Sequence, residues 1–148
     1  MKQLWIIVSL TLLSCLSISV RADSVEGKAI ICDDYTKQSR YKGWEFIEDG
    51  GVMGQILSTT STQARFLRNE DPYRRREYVD TIKWTSESGR SEWVLDRKTL
   101  ELAYTGINGD RTISCEVYGS REEYLEAFEK YRQQEQEKLD REMEGNKI

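Results

Sequence analysis

The chain predicts a mainly β domain of about eight short antiparallel strands in a meander, forming a small barrel or a sandwich, followed by one long C-terminal α-helix. Three observations predict it. Between Lys28 and Tyr118 apolar residues recur at every second position, and turn residues interrupt them at short intervals, as in half-buried strands joined by hairpins. Cys32 and Cys115 sit in the first and last of these runs, and after Ser120 the apolar spacing changes to that of a helix.

The first strand is expected over Lys28 to Cys32 and the second over Gly43 to Glu48, where Trp44 and Phe46 alternate with Glu45. Asp49-Gly50-Gly51 supplies the positive φ of a tight hairpin into Val52 to Leu57. Gln63 to Arg68 follows, with Ala64 and Phe66 on one face, and then a loop holding the single proline, Pro72. Tyr78, Ile82 and Trp84 mark one face of the longest expected strand, which places Asp80 on that same face. Ser88-Gly89 turns the chain into Trp93 to Leu95, and Asp96-Arg97-Lys98 turns it again into Leu100 to Tyr104. Asn108-Gly109 precedes the last strand, Arg111 to Tyr118, with Ile113, Cys115 and Val117 inward. A disulfide from Cys32 to Cys115 would set the first and last strands side by side, closing the meander into a barrel or bridging the layers of a sandwich.

Ser120 and Glu123 form a capping box, so the helix is expected to begin near Arg121. Tyr124, Phe128 and Tyr131 share one face, with Leu125 at its margin. From Arg132 to Lys138 there is no apolar residue, so the distal half is expected to extend into solvent and end near Gly145-Asn146. Leu139 and Met143 are the only apolar residues there that could form a self-association seam, and the chain is expected to be a monomer.

Residues 1–22 read as a secretory signal peptide: Lys2 is basic, Leu4 to Leu16 is apolar, and small-residue sites at Val20 and Ala22 precede Asp23. Five hydroxyl residues dilute the stretch below a membrane span. Leu12-Leu13-Ser14-Cys15 resembles the lipobox of bacterial lipoproteins, which makes Cys15 the candidate for lipidation in an alternative envelope-anchored form. The organisation expected is therefore a leader at 1–22, a disulfide-clasped β domain at 23–119 and a charged helix at 120–148. The location expected is periplasmic or secreted. Removing the leader leaves 20 basic and 26 acidic side chains, a net charge of −6, which disfavours nucleic acid as a partner. In an oxidising compartment the two remaining cysteines pair. Closing so long a loop stabilises a fold by about 4 kcal/mol in the chain-entropy treatment.

The chain has no histidine. That removes the common serine and cysteine triads, the usual zinc sites and the commonest general base, and pairing of Cys32 with Cys115 removes thiol nucleophiles from the mature domain. No cofactor and no metal is expected, since Asp33-Asp34 and Asn108 to Asp110 lack the spacing of a calcium loop. Acid–base chemistry would have to come from carboxylates: Glu45, Glu48, Asp80, Glu92, Asp96 or Glu101. Asp80 is the most interesting, because burial beside Tyr78 and Trp84 would raise its pKa. Arg65, Arg68, Arg74, Arg75 and Arg76 form a basic cluster around Asn69 to Pro72, a candidate grip for an anionic partner, phosphate or glycan carboxylate. Trp44, Trp84 and Trp93 are expected to fill the core.

Trp93 to Leu102, a strand, a polar turn and a returning strand, resembles a pattern of small exported bacterial domains and implies no activity. The chain is also similar to the periplasmic C-type lysozyme inhibitors, exported small β-barrels with a cysteine near each end. That family presents a Ser-Gly-x-x-Tyr motif; here Ser88-Gly89-Arg90-Ser91 is followed by Glu92 and Trp93, so the tyrosine is missing. The expected role is non-enzymatic, binding or structural, with a protein or glycan partner in the envelope. An inhibitor of a cell-wall enzyme such as lysozyme is one alternative, and a carboxylate-dependent glycan hydrolase is the other.

Overall fold

A computed structural model describes residues 24–34, 39–107 and 109–145. The leader at 1–22, with Cys15, lies outside the described residues. Among the described residues there are nine strands, β1 (Ala29–Asp33), β2 (Ser39–Ile47), β3 (Gly51–Thr59), β4 (Ala64–Arg68), β5 (Tyr73–Glu77), β6 (Thr81–Thr85), β7 (Ser91–Asp96), β8 (Glu101–Gly106) and β9 (Arg111–Tyr118), followed by one helix, α1 (Arg121–Gly145). All neighbours pair antiparallel in the order β2-β1-β9-β8-β7-β6-β5-β3, and β3 pairs with β2 to close an eight-stranded barrel. β4 hangs outside it on β3.

Closure at the first and last strands follows from the cysteines. Cys32 on β1 lies directly opposite Cys115 on β9, and their sulfurs are bonded across a separation of 83 residues. The β2–β3 hairpin forms as its residues demand, with φ of 57° at Asp49 and 72° at Gly50. The barrel's thinnest seam is β3–β5, with only Gly51↔Arg74 and Val52↔Tyr73 in register, because β3 bends away at Gly54 to take up β4 from Gln55 onward. Gly54 permits this fork: a Cβ there would lie 2.6 Å from the Trp44 ring.

Inward-facing side chains fill the barrel. Trp44, Trp84 and Trp93 have ring centroids 5.0 to 6.4 Å apart, and Phe46, Val52, Ile82, Leu95 and Leu102 pack around them. A second core lies on the outside, where Ala29, Ile31, Tyr41, Leu57 and Ala64 of the sheet meet Tyr124 and Phe128 of α1. Gly43 is the contact point, since a Cβ there would fall 2.2 Å from the Tyr124 hydroxyl. The helix starts as its sequence specifies: the Glu123 N–H donates to Ser120 Oγ at 3.2 Å and the Glu123 carboxylate accepts from the Gly119 N–H at 3.0 Å.

Three sequence expectations are corrected. The longest strand does not exist as read: the chain reverses at Tyr78 to Asp80, with the Tyr78 N–H bonded to the Thr81 carbonyl at 2.8 Å, and β5 and β6 lie on either side. Asp80 is thus in a turn, not on the inward face, and pairs with Lys98 at 2.8 Å with both side chains exposed. The segment around Arg74 to Arg76 is a barrel strand rather than a loop. The distal helix is docked further than expected. Glu135 is buried and pairs with Arg40 and Lys138, Gln136 bonds the Ala64 N–H and the Thr62 carbonyl, and Leu139 packs against the outer core. Of the two apolar residues of the distal helix, Leu139 is thus taken up by the outer core while Met143 stays exposed.

Candidate functional site

The basic cluster divides by strand alternation. Arg75 lies opposite Trp84 and so points into the barrel, where its side chain is 3 % exposed. It donates to the carbonyls of Ile47 and Gly51, both at 2.7 Å, and to Glu77 and Glu26 at 2.8 and 3.2 Å. This guanidinium closes one end of the barrel by tying β5 to the β2–β3 hairpin. Arg74 donates to the Asp49 carbonyl at 3.0 Å, and Arg68 approaches Glu45 at 3.2 Å. Arg65 and Arg76 are exposed. The five arginines therefore occupy β4 and both faces of β5, with one of them consumed inside the fold.

Of the carboxylates, Glu92 pairs with Lys83 at 2.7 Å and Asp96 accepts the backbone N–H groups of Lys98 and Thr99 at 2.8 and 2.9 Å. Those two N–H donors hold the Asp96 carboxyl below its ordinary range. Glu101 is within 3.4 Å of the Thr99 hydroxyl. Glu45 is buried on the outer face of β2, between Arg68 and Arg121, the latter donating from Nε at 3.0 Å. Glu45 and Glu48 share, with Glu26, Lys28 and Arg121, a pocket of about 330 Å³ at the start of α1. The buried carboxylate there is held by two guanidinium groups, which anchor the helix start and the outer strand β4 to the barrel wall. Among the described residues no group of three or more side chains has the arrangement of a metal site.

The opposite end of the barrel from Arg75 carries a constellation the sequence reading missed. Lys42 lies opposite Cys32 and Arg111 opposite Tyr104, so both cations point inward at the mouth. Both reach the same atom: Asp34 Oδ2 is 2.7 Å from Lys42 Nζ and 2.9 Å from Arg111 Nη2. Asp34 is 2 % exposed, Lys42 15 % and Arg111 26 %. Both cations also stand over the Tyr104 ring, Arg111 at 4.7 Å and Lys42 at 5.6 Å from its centroid, an attractive arrangement for a partly desolvated cation. The Tyr104 hydroxyl is 3.2 Å from Ser91 Oγ, and Gly106 leaves the space it needs, since a Cβ there would lie 2.3 Å from that oxygen. The Ser88-Gly89 turn joins β6 to β7 at this same end, with φ of 67° at Gly89.

The cluster sets two cations against one carboxylate. Among the described residues Asp34 is the only carboxylate in ion-pair reach of Lys42 or Arg111, and the four residues after it, Tyr35 to Gln38, include no acid. Arg111 Nε is buried without a hydrogen-bond acceptor, as are Trp44 Nε1, Trp84 Nε1 and Asn69 Nδ2. The inward alternation of Lys42 with Trp44 and Phe46 could have shown this from sequence, but a lysine in a strand is ordinarily read as solvent-facing.

No protein-family model, curated protein or solved structure matches this chain. The disulfide points to a non-cytoplasmic location, and among the described residues no helix is long and apolar enough to cross a membrane.

Proposed function

We infer that the mature protein is a non-enzymatic binding domain of the periplasm or the extracellular space, which recognises its partner at the end of the barrel that carries Lys42 and Arg111. The observation that supports this is the contrast between a filled interior and an electrostatically unbalanced mouth. Three interlocked indoles leave the barrel axis to side chains, as an eight-stranded barrel allows. Most of the carboxylates that could serve as an acid and base are engaged by cations or backbone donors. Cations held largely out of water with too few counter-charges are a recognition feature, because a charged partner restores the balance.

The test uses the full chain expressed in a bacterial host with an export system. Mass analysis of the product should find a new N-terminus at Asp23, and immobilised mature protein should retain a defined envelope protein or glycan in a salt-dependent way. Hydrolysis of cell-wall glycan by the purified domain would overturn the non-enzymatic reading in favour of a hydrolase working from the Glu45 and Glu48 pocket. Inhibition of added lysozyme would instead identify the partner as a cell-wall enzyme, with the exposed Ser88-Gly89-Arg90 turn beside the mouth.

A further inference from the structure

We propose that Lys42 and Arg111 form a binding site for an oxyanion group, carboxylate or phosphate, carried by the ligand that the barrel mouth takes up. The proposal rests on the binding role above and gives it a ligand chemistry. Two cations converge on a single oxygen of Asp34, so the cluster carries a net positive charge in a place that is mostly shielded from water. A buried charge lacking a counter-ion costs several kcal/mol, and proteins hold such groups by pairing them. The aromatic face of Tyr104 offsets part of that cost but supplies no hydrogen-bond acceptor in the plane of the guanidinium.

Hydrogen bonding leads to the same chemistry. A guanidinium offers five N–H donors in a planar fork suited to two-oxygen groups. Arg75 uses its Nε, Nη1 and Nη2 on four acceptors. Arg111 uses Nη2 alone, on Asp34, while its Nε is buried and unpaired. A buried donor left unpaired costs about 1 to 3 kcal/mol; Nε has no accessible surface as the side chain stands, so an incoming oxygen would recover that cost after a small shift of the guanidinium. Lys42 reaches the same point with a rotatable ammonium, still 15 % exposed. Asp34 fixes both cations in place from the side away from solvent. The result is a partly exposed group of donors bordered by the Tyr104 ring.

Isothermal titration calorimetry of the intact mature protein with inorganic phosphate and with glucuronate, each at constant ionic strength, tests the site. Saturable millimolar or tighter binding of at least one probe is expected. The probe that binds tighter distinguishes a phosphate-bearing ligand from a sugar acid. Lys42→Met should weaken binding about tenfold, the loss of one charge-assisted hydrogen bond; Arg111→Gln serves the same purpose where Lys42→Met does not fold. Lys42→Arg should retain binding, and Arg76→Ser, an exposed cation on β5, should leave it unchanged. The proposal is overturned if neither probe binds, or if binding survives both charge-removing variants undiminished. Absence of probe binding by the unsubstituted protein with partner capture intact would sink this site alone, whereas absence of capture as well would sink the binding role.

Discussion

Two inward-pointing arginines stand at the two ends of one barrel, and they do opposite work. Arg75 is 3 % exposed and meets two carbonyls and two carboxylates; Arg111 is 26 % exposed, meets one carboxylate oxygen and leaves Nε unpaired. The same side chain on the same face of a strand is thus a structural plug at one end and a partly unused donor at the other. What separates them is the supply of acceptors. The β2–β3 hairpin turns two backbone carbonyls toward Arg75, while at the mouth a second cation, Lys42, shares the one carboxylate oxygen that Arg111 reaches.

The largest effect expected bears on both ends at once. Replacing Cys32 and Cys115 together by alanine opens the β1–β9 seam and should lower stability by about 4 kcal/mol, given the long loop the disulfide closes; denaturant unfolding with and without reductant measures it. Next comes Arg75→Met, which leaves the Ile47 and Gly51 carbonyls without their donor and should cost about 3 kcal/mol. Arg111→Met should cost only about 1 kcal/mol, because Asp34 keeps Lys42. Equal costs at the two ends would break the comparison. Gly43→Ala drives a methyl into the Tyr124 hydroxyl and should cost about 2 kcal/mol, with hydrogen exchange accelerated in α1 and not in the barrel's interior strands.

The smallest effect concerns pH. Burial pushes the Tyr124 hydroxyl well above the ordinary tyrosine value of 10.0, and Glu45 nearby adds to the rise. A group whose folded pKa is raised favours the fold in its protonated form. Its contribution is therefore complete below pH 10 and is lost as pH climbs through the folded value. Between pH 10 and the folded value stability should fall by about 1.4 kcal/mol per pH unit for this group and then level off, and Tyr124→Phe should make the alkaline decline shallower. Tyr118 and Tyr131, raised first by burial and then by Glu116, add to the same limb of the curve.

The barrel itself was legible because its inward residues are mostly apolar and its turns carry glycine at positive φ, as at Gly50, Gly89 and Gly109. The helix start was legible from Ser120 and Glu123. What escaped were the places where polar side chains do structural work. β5 reads Tyr-Arg-Arg-Arg-Glu, and with Arg75 as its inward residue the apolar alternation disappears. The reversal at Tyr78 to Asp80 contains neither glycine nor proline, so Tyr78 appeared continuous with Ile82 and Trp84. The distal helix docks through Glu135 and Gln136, contacts invisible to an apolar count. Lys42 and Arg111 were missed for the same reason. The cations that alternation places inside are hidden by the assumption that charge belongs outside, and the arginine cluster that was conspicuous in the sequence is dispersed over two strands.

Side-chain NMR of arginine separates the two ends most directly. The Nε–Hε signals of Arg75 and Arg111 are followed while phosphate and glucuronate are titrated into the mature protein. The Arg111 signal should move saturably with at least one probe while that of Arg75 stays fixed. A stationary Arg111 signal, or equal movement of both, would contradict the assignment of one end to structure and the other to binding.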